Sequence, residues 1–324
     1  MKGPRVVNPG VATERQSEPL DSAESDASTD TRVKSAPGKA TAKKSIVSKP
    51  KPSSAKPSMS RKKEEVDTSP PYTANSLKNQ RFKDEARLKV LKWNFTSPRQ
   101  DVIDQLKDQM VAANFSPMLM TQLFHNDFKQ HLKAIEILYK YIKEDMDGLK
   151  DNLDLLLKWT TLRFFERNPQ TLIKALDYIN EVFNVLANDS YNLHDVEAVS
   201  FIPYLVGKVG DPKDPIRNSV KRIFKCMCQV YPVSKFSPYL MDGLKDKNAK
   251  LRAECLEEIG GMLKNYGKNV LQPTPAACLK EIAKYISDRD RSVRDGALNA
   301  ITETYFQVSN MRPKHKLIGF SGLG

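Results

Sequence analysis

The sequence is poor in the features that mark several large protein classes. It contains no run of about 18 apolar residues, which excludes a membrane-spanning helix. Its first residues, MKGPRVVNPGVATERQSEPL, hold no apolar stretch of the kind a secretory signal needs. Four cysteines in 324 residues (Cys226, Cys228, Cys255, Cys278) are too few for a disulfide framework, so an intracellular, reduced protein is expected. Cys226 and Cys228 stand two apart in a helical stretch and point to different faces, as small packed hydrophobes do. The four histidines (His125, His131, His194, His315) are scattered, and none has metal-ligand spacing with a cysteine. Glycine is scarce and no phosphate-cradling loop is present; GxSxG and HExxH are absent. No paired carboxylates in an apolar setting suggest acid–base chemistry. These absences lead to the expectation of no enzyme, no metal and no cofactor.

What is present is uneven. Residues 1–75 hold almost no large apolar side chains and are dense in Ser, Pro, Lys and Thr, a composition that cannot offset the entropy of ordering. The stretch from Glu14 to Asp30 is acidic. From Arg32 to Lys63 there are eleven basic residues and no acidic one, nearly the whole net charge of +13. Residues 1–85 are therefore read as a disordered basic linker. Its cations include Lys39, Lys43, Lys44, Lys49, Lys51, Arg61, Lys62 and Lys63, and it suits a polyanionic surface: nucleic acid, acidic lipid or a microtubule. A solvated spacer is the plain alternative. Ser69-Pro70 is a motif-level phosphorylation site that would lower the tail's charge.

Residues 76–92 can form a short charged helix, and Ser97-Pro98 with Gln100 reads as a capped helix start. From there on, apolar residues recur at helical spacing and no strand alternation is found. Helix pairs are expected at Gln105–Leu123 with Gln130–Asp145, and at Gly148–Glu166 with Thr171–Ala187. Trp159 is expected in the core. Then the chain repeats itself. Phe201, Pro203, Tyr204 and Leu205 recur 35 residues later as Phe236, Pro238, Tyr239 and Leu240. Asp211, Ile216 and Arg217 recur as Asp246, Leu251 and Arg252, and after 42 more residues as Asp288, Val293 and Arg294. The common form is helix, Asp, aliphatic, Arg, helix. Ile282 and Ile286 belong to the third copy, and Phe224, Ile259 and Ile301 share a place in the second helices. The expected fold is all-α, an α-solenoid of HEAT repeats. Each repeat Arg is expected to bond its own turn and bridge neighbouring loops.

In such a stack the intra-repeat loops lie along one edge. That edge would carry His125, Asn126, Phe128, Lys129, Arg167, Asn168, Lys213, Lys245, Lys247, Lys250, Arg289 and Arg291. The row is mostly basic with one aromatic. Phe128 is either an exposed anchor or a residue tucked between the helices of its own pair.

KVLKWNFTSPR, the FHNDF loop, LKWTTLRFF, VSFIPYLVGKVGDPKD, RAECLEEIG and ISDRDRSVRDGALNAI together resemble a TOG domain of the ch-TOG / Mini spindles family of microtubule polymerases, most like its fourth TOG domain. The resemblance covers about residues 76–320. It implies a flat paddle of six HEAT repeats, here a TOG domain over 86–324 with the sixth repeat incomplete. It also implies binding of αβ-tubulin through the loop edge, in the cytoplasm at microtubules, spindle and centrosome, in support of polymerisation. Residues matching the family's contact positions are Phe128, where the family has Trp, then Lys129 and His131, and in later loops Lys213, Lys247, Lys250, Arg289 and Arg291. Phe keeps apolar area but lacks the indole N–H. The basic tail resembles the family's lattice-binding linker. Spindle or centrosome proteins are further partners, with no membrane and a monomeric state expected. The competing readings are a HEAT scaffold for a non-tubulin protein, and attachment of nucleic acid through the tail. The lack of interleaved aromatics argues against the latter.

Overall fold

The computed structural model describes residues 69–309. Thirteen α-helices are found among the described residues, with no strand. The first is α1 (Lys78–Ala86). Then come α2 (Gln100–Ala112), α3 (Pro117–Leu123) and α4 (Phe128–Tyr141). The second pair is α5 (Met146–Asp151) and α6 (Leu153–Arg163) against α7 (Pro169–Asn188). The third is α8 (Asp195–Val206) with α9 (Asp214–Val230), and the fourth α10 (Val233–Gly243) with α11 (Ala249–Tyr266). A 3-10 turn at Gly267–Leu271 leads to the fifth, α12 (Pro275–Ala283) with α13 (Arg291–Ser309). Helices α2, α6, α8 and α10 pack side by side in one layer; α4, α7 and α9 stack in the other, as do α11 and α13. One continuous apolar core runs through both layers, from Tyr72 to Ala300.

The repeat motif has a local mechanism. In the third, fourth and fifth pairs a loop Asp accepts from the backbone N–H two residues on: Asp211 from Lys213, Asp246 from Asn248 and Asp288 from Asp290, at 2.8–2.9 Å. Such a side-chain turn ends one helix and aims the next. Six residues on, Arg217, Arg252 and Arg294 donate to the same Asp carbonyls at 2.6, 3.0 and 2.8 Å. The aliphatic between them (Ile216, Leu251, Val293) drops into the core. Arg252 also reaches Asp288 of the next repeat at 3.0 Å, bridging two loops as expected from the sequence. Close approach matters at Gly210, where a Cβ would lie 2.5 Å from Leu251 Cβ, and at Gly260, where it would lie 2.9 Å from the Asn299 amide. Between α9 and α11 the link is ionic: Arg217 and Lys221 meet Glu254 at 3.3 and 2.6 Å.

Four expectations are corrected. The folded part does not begin at residue 86. Tyr72 is fully buried against Phe115 and Tyr141. Arg81 of α1 forms a two-pronged bond with buried Asp154, both contacts at 2.7 Å. The strap from Pro71 to Ala86 is thus part of the body, while residues 1–68 of the expected linker lie outside the described residues. Ser97 does not cap a helix: α2 starts at Gln100 with Arg99 as the extended N-cap residue. The expected long helices Gln105–Leu123 and Gly148–Glu166 are each broken, at Asn114, which adopts a left-handed conformation (φ 59°), and at Asn152. Trp159 is fully buried, with its indole N–H donated to the Leu123 carbonyl at 2.9 Å. Ile286 is exposed rather than core, because it sits in the short 3-10 turn Lys284–Ser287 after α12. The proposed start of a sixth pair falls beyond the described residues.

Candidate functional site

The second helix of every pair starts at an intra-pair loop, and neighbouring loops are tied by Asn248 Nδ2 to the Gly210 carbonyl at 3.3 Å and by Arg252 to Asp288 at 3.0 Å, so positive helix ends follow one another along this edge. Four are capped by short polar side chains. Asp127, Asn168, Asn248 and Asp290 accept from the backbone N–H groups of Lys129, Gln170, Lys250 and Ser292 at 2.8–3.0 Å. At the fifth, α9, Lys213 itself is the N-cap residue.

The expected row of cations is brought together on this edge. Lys129, Lys213, Lys247 and Arg289 are exposed, and none has a carboxylate partner among the described residues. Lys250, itself exposed, lies 3.3 Å from the buried Glu254 carboxylate, whereas Arg291 and Asp295 form a solvent-facing pair at 3.5 Å. Exposed pairs of this kind contribute little and release easily. Lys245 is bonded to Asp242 at 2.6 Å. The Asp288 carboxyl behind the last loop is held below its ordinary range by the Asp290 N–H and the Arg252 guanidinium, so it stays a fixed anion in that bridge. Phe128 is the first residue of α4 and is half-buried, between the two expectations for it.

His131 does not stand on the exposed row. It is buried one turn into α4, with its Nδ1 2.7 Å from Glu166 Oε1 and hydrogen-bonded to Arg163, while its ring meets Trp159 edge-on. Arg163 also pairs with Glu166 and lies over the Trp159 ring at 4.8 Å. Burial lowers the Arg163 pKa to about 10, which leaves it charged at neutral pH. This cluster ties the first edge loop to the second. Arg163 and Glu166 were not singled out in the sequence; an Arg four residues after a core Trp was the available signal. Phe165, in the second loop and 39% exposed, was missed as well. The tail cations Lys39, Lys43, Lys44, Lys49, Lys51, Arg61, Lys62 and Lys63 lie outside the described residues. Among those described, no His/Cys/Asp/Glu cluster could hold a metal ion, and no helix is long and apolar enough to cross a membrane.

The family model for the XMAP215/Dis1/CLASP TOG domain matches residues 116–317. The chain belongs to the TOG-domain family. It is 46% identical over 259 residues to Protein mini spindles of Drosophila melanogaster, covering 80% of this chain and 12% of that protein. It is 38% identical over 231 residues to Zygote defective protein 9 of Caenorhabditis elegans, covering 71% of this chain and 16% of that protein. The chain thus spans a small part of either relative. One solved structure, described by the words "TOG-tubulin binding specificity promotes microtubule dynamics and mitotic spindle formation", superposes with a TM-score of 0.71 at 47% identity. That match covers 74% of this chain and 90% of the other. The worm structure "TOG domain structure from C.elegans Zyg9" gives 0.69 at 38% identity, covering 73% and 88%. The HEAT-repeat solenoid read from the sequence is the TOG architecture.

Proposed function

We propose that this TOG domain binds αβ-tubulin through its loop edge, at microtubules, spindle and centrosome, and that the basic tail adds attachment to the acidic lattice. The carrying observation is the alignment, on one edge, of unpaired Lys129, Lys213, Lys247 and Arg289 with the successive helix N-termini. An edge of that charge fits an acidic protein surface, and the described relative's words name tubulin. Phe128 supplies the apolar contact, and the Trp159–Arg163–Glu166–His131 cluster holds its loop in place. No bond chemistry is needed; the domain acts by holding and delivering tubulin.

The test is tubulin affinity of the double variant Phe128→Ala, Lys247→Glu, measured by light-scattering chromatography and anisotropy. Both side chains leave the core intact, so helicity and melting temperature should hold. Binding should fall by about tenfold or more. Wild-type affinity in the double variant would remove this edge from the interface.

A further inference from the structure

A second surface lies on the other layer. Between the segment joining α1 to α2 and the outward face of α8 runs a groove of about 680 Å3. Its walls are Trp93, Phe95, Val196, Val199, Pro203 and Tyr204. The Phe95 ring lies 5.1 Å from those of Trp93 and Tyr204. The polar atoms of these walls are already committed. Trp93 donates its indole N–H to Thr161 Oγ1 at 2.9 Å, and the Tyr204 hydroxyl accepts from the Phe95 N–H at 3.0 Å. Ser200 Oγ, also lining the groove, donates to the Glu197 carbonyl at 3.0 Å. These bonds fix the rings and leave an apolar wall. Such a wall selects a bulky apolar side chain rather than a polar ligand. Val199, 55% exposed, forms its open lip.

The charges around the groove are not balanced. Glu85 is bonded to Lys158 at 3.1 Å, Asp84 lies 3.6 Å from Lys89, and Asp195 is held by Lys235 at 2.8 Å. Lys92 lines the groove, and Arg87 follows its wall residue Ala86. Neither has a carboxylate partner among the described residues. The uncompensated charge is therefore positive. We infer that this groove docks a short acidic peptide segment of a partner protein. One bulky apolar side chain seats among Trp93, Phe95, Val199 and Tyr204, and flanking carboxylates meet Lys92 and Arg87. The loop edge and the groove use different residues, so the domain can hold a peptide-bearing partner beside its tubulin surface.

A phage-displayed library of random peptides panned on the full chain, with counter-selection on Val199→Asp, tests this. Val199 and Lys92 are exposed, so their variants should fold. The expected winners carry a Leu, Ile, Phe or Trp flanked by Asp or Glu. Synthetic copies should lose about tenfold in affinity or more on Val199→Asp, on Lys92→Glu and on replacement of the anchor by Ala. Tubulin affinity should be unchanged in both protein variants. The inference is overturned by absence of enrichment, by neutral or basic winners, or by binding that ignores Val199→Asp. It is equally overturned if the wild type forms a dimer that Val199→Asp abolishes, since the occupant is then a second copy. A fall in tubulin affinity in Val199→Asp would instead assign the groove to the tubulin surface.

Discussion

Glu258 on α11 shows burial and charge pulling against each other. Burial raises its carboxyl pKa to about 7, although Lys221 of α9 approaches to 3.8 Å and opposes the shift with Lys225; Glu257 and Glu254 add to it. In the unfolded chain the same group titrates near 4.5. Between those values the folded state holds a proton that the unfolded state has released. Stability therefore falls as pH rises through that window and is flat above it. Glu258→Gln should leave stability unchanged at pH 4. At pH 8 it should add roughly 1–3 kcal/mol, read from urea midpoints. Equal midpoints at pH 8 would mean that Lys221 already neutralises the buried charge. Neighbouring Glu254 behaves oppositely. Burial pushes its carboxyl up too, but Lys221 at 2.6 Å and Lys250 at 3.3 Å outweigh it and hold it below the usual range. Spacing along the helix shows both acids on one side of α11; the closer approach of Lys221 to Glu254, with Lys250 beside it, distinguishes them.

At the scale of elements, α6 is the instructive helix. Its apolar residues recur at helical spacing, with the charged Asp154 and Lys158 set between them. Both are buried. The strap and α1 lie over them, with Arg81 on Asp154 and Glu85 on Lys158. Lys78 of α1 also meets buried Glu197 of α8 at 2.6 Å. A helix that looks amphipathic is thus covered on its polar side as well, by a charged helix whose own composition suggests a linker. Arg81→Ala leaves the Asp154 carboxylate buried and unpaired, and should cost about 3–5 kcal/mol in urea unfolding. Replacing Arg81 and Asp154 together by Leu should cost much less, because no charge is stranded. If the single and double variants unfold alike, the pair is not what holds α1 in place.

For the whole molecule, binding to the lattice and reading of tubulin should separate by salt. Charges on the tail interact over a screening length of about 8–10 Å at ordinary ionic strength. In co-sedimentation with microtubules, the full chain should lose binding steeply as salt rises, and residues 69–324 should start weaker and fall less. The cut belongs at 69, since removing residues through 85 takes away Tyr72 and Arg81 and with them part of the core. Equal salt dependence in the two proteins would remove the tail from the attachment.

The sequence by itself determined the repeating unit. Asp turns, helix caps and the aliphatic–Arg pair act over a few residues, so three repeats, their loops and the shared basic edge could be read without coordinates. What the tertiary structure alone decided is which polar residues face another helix. His131 matches a contact position through the family resemblance but is buried against Glu166, and Asp154 is covered by a helix 73 residues earlier. The groove of Trp93, Phe95, Val199 and Tyr204 likewise joins segments about a hundred residues apart. Periodicity reports the face a helix buries against its near neighbours. Burial by a distant segment depends on chain reversals that leave no periodic mark.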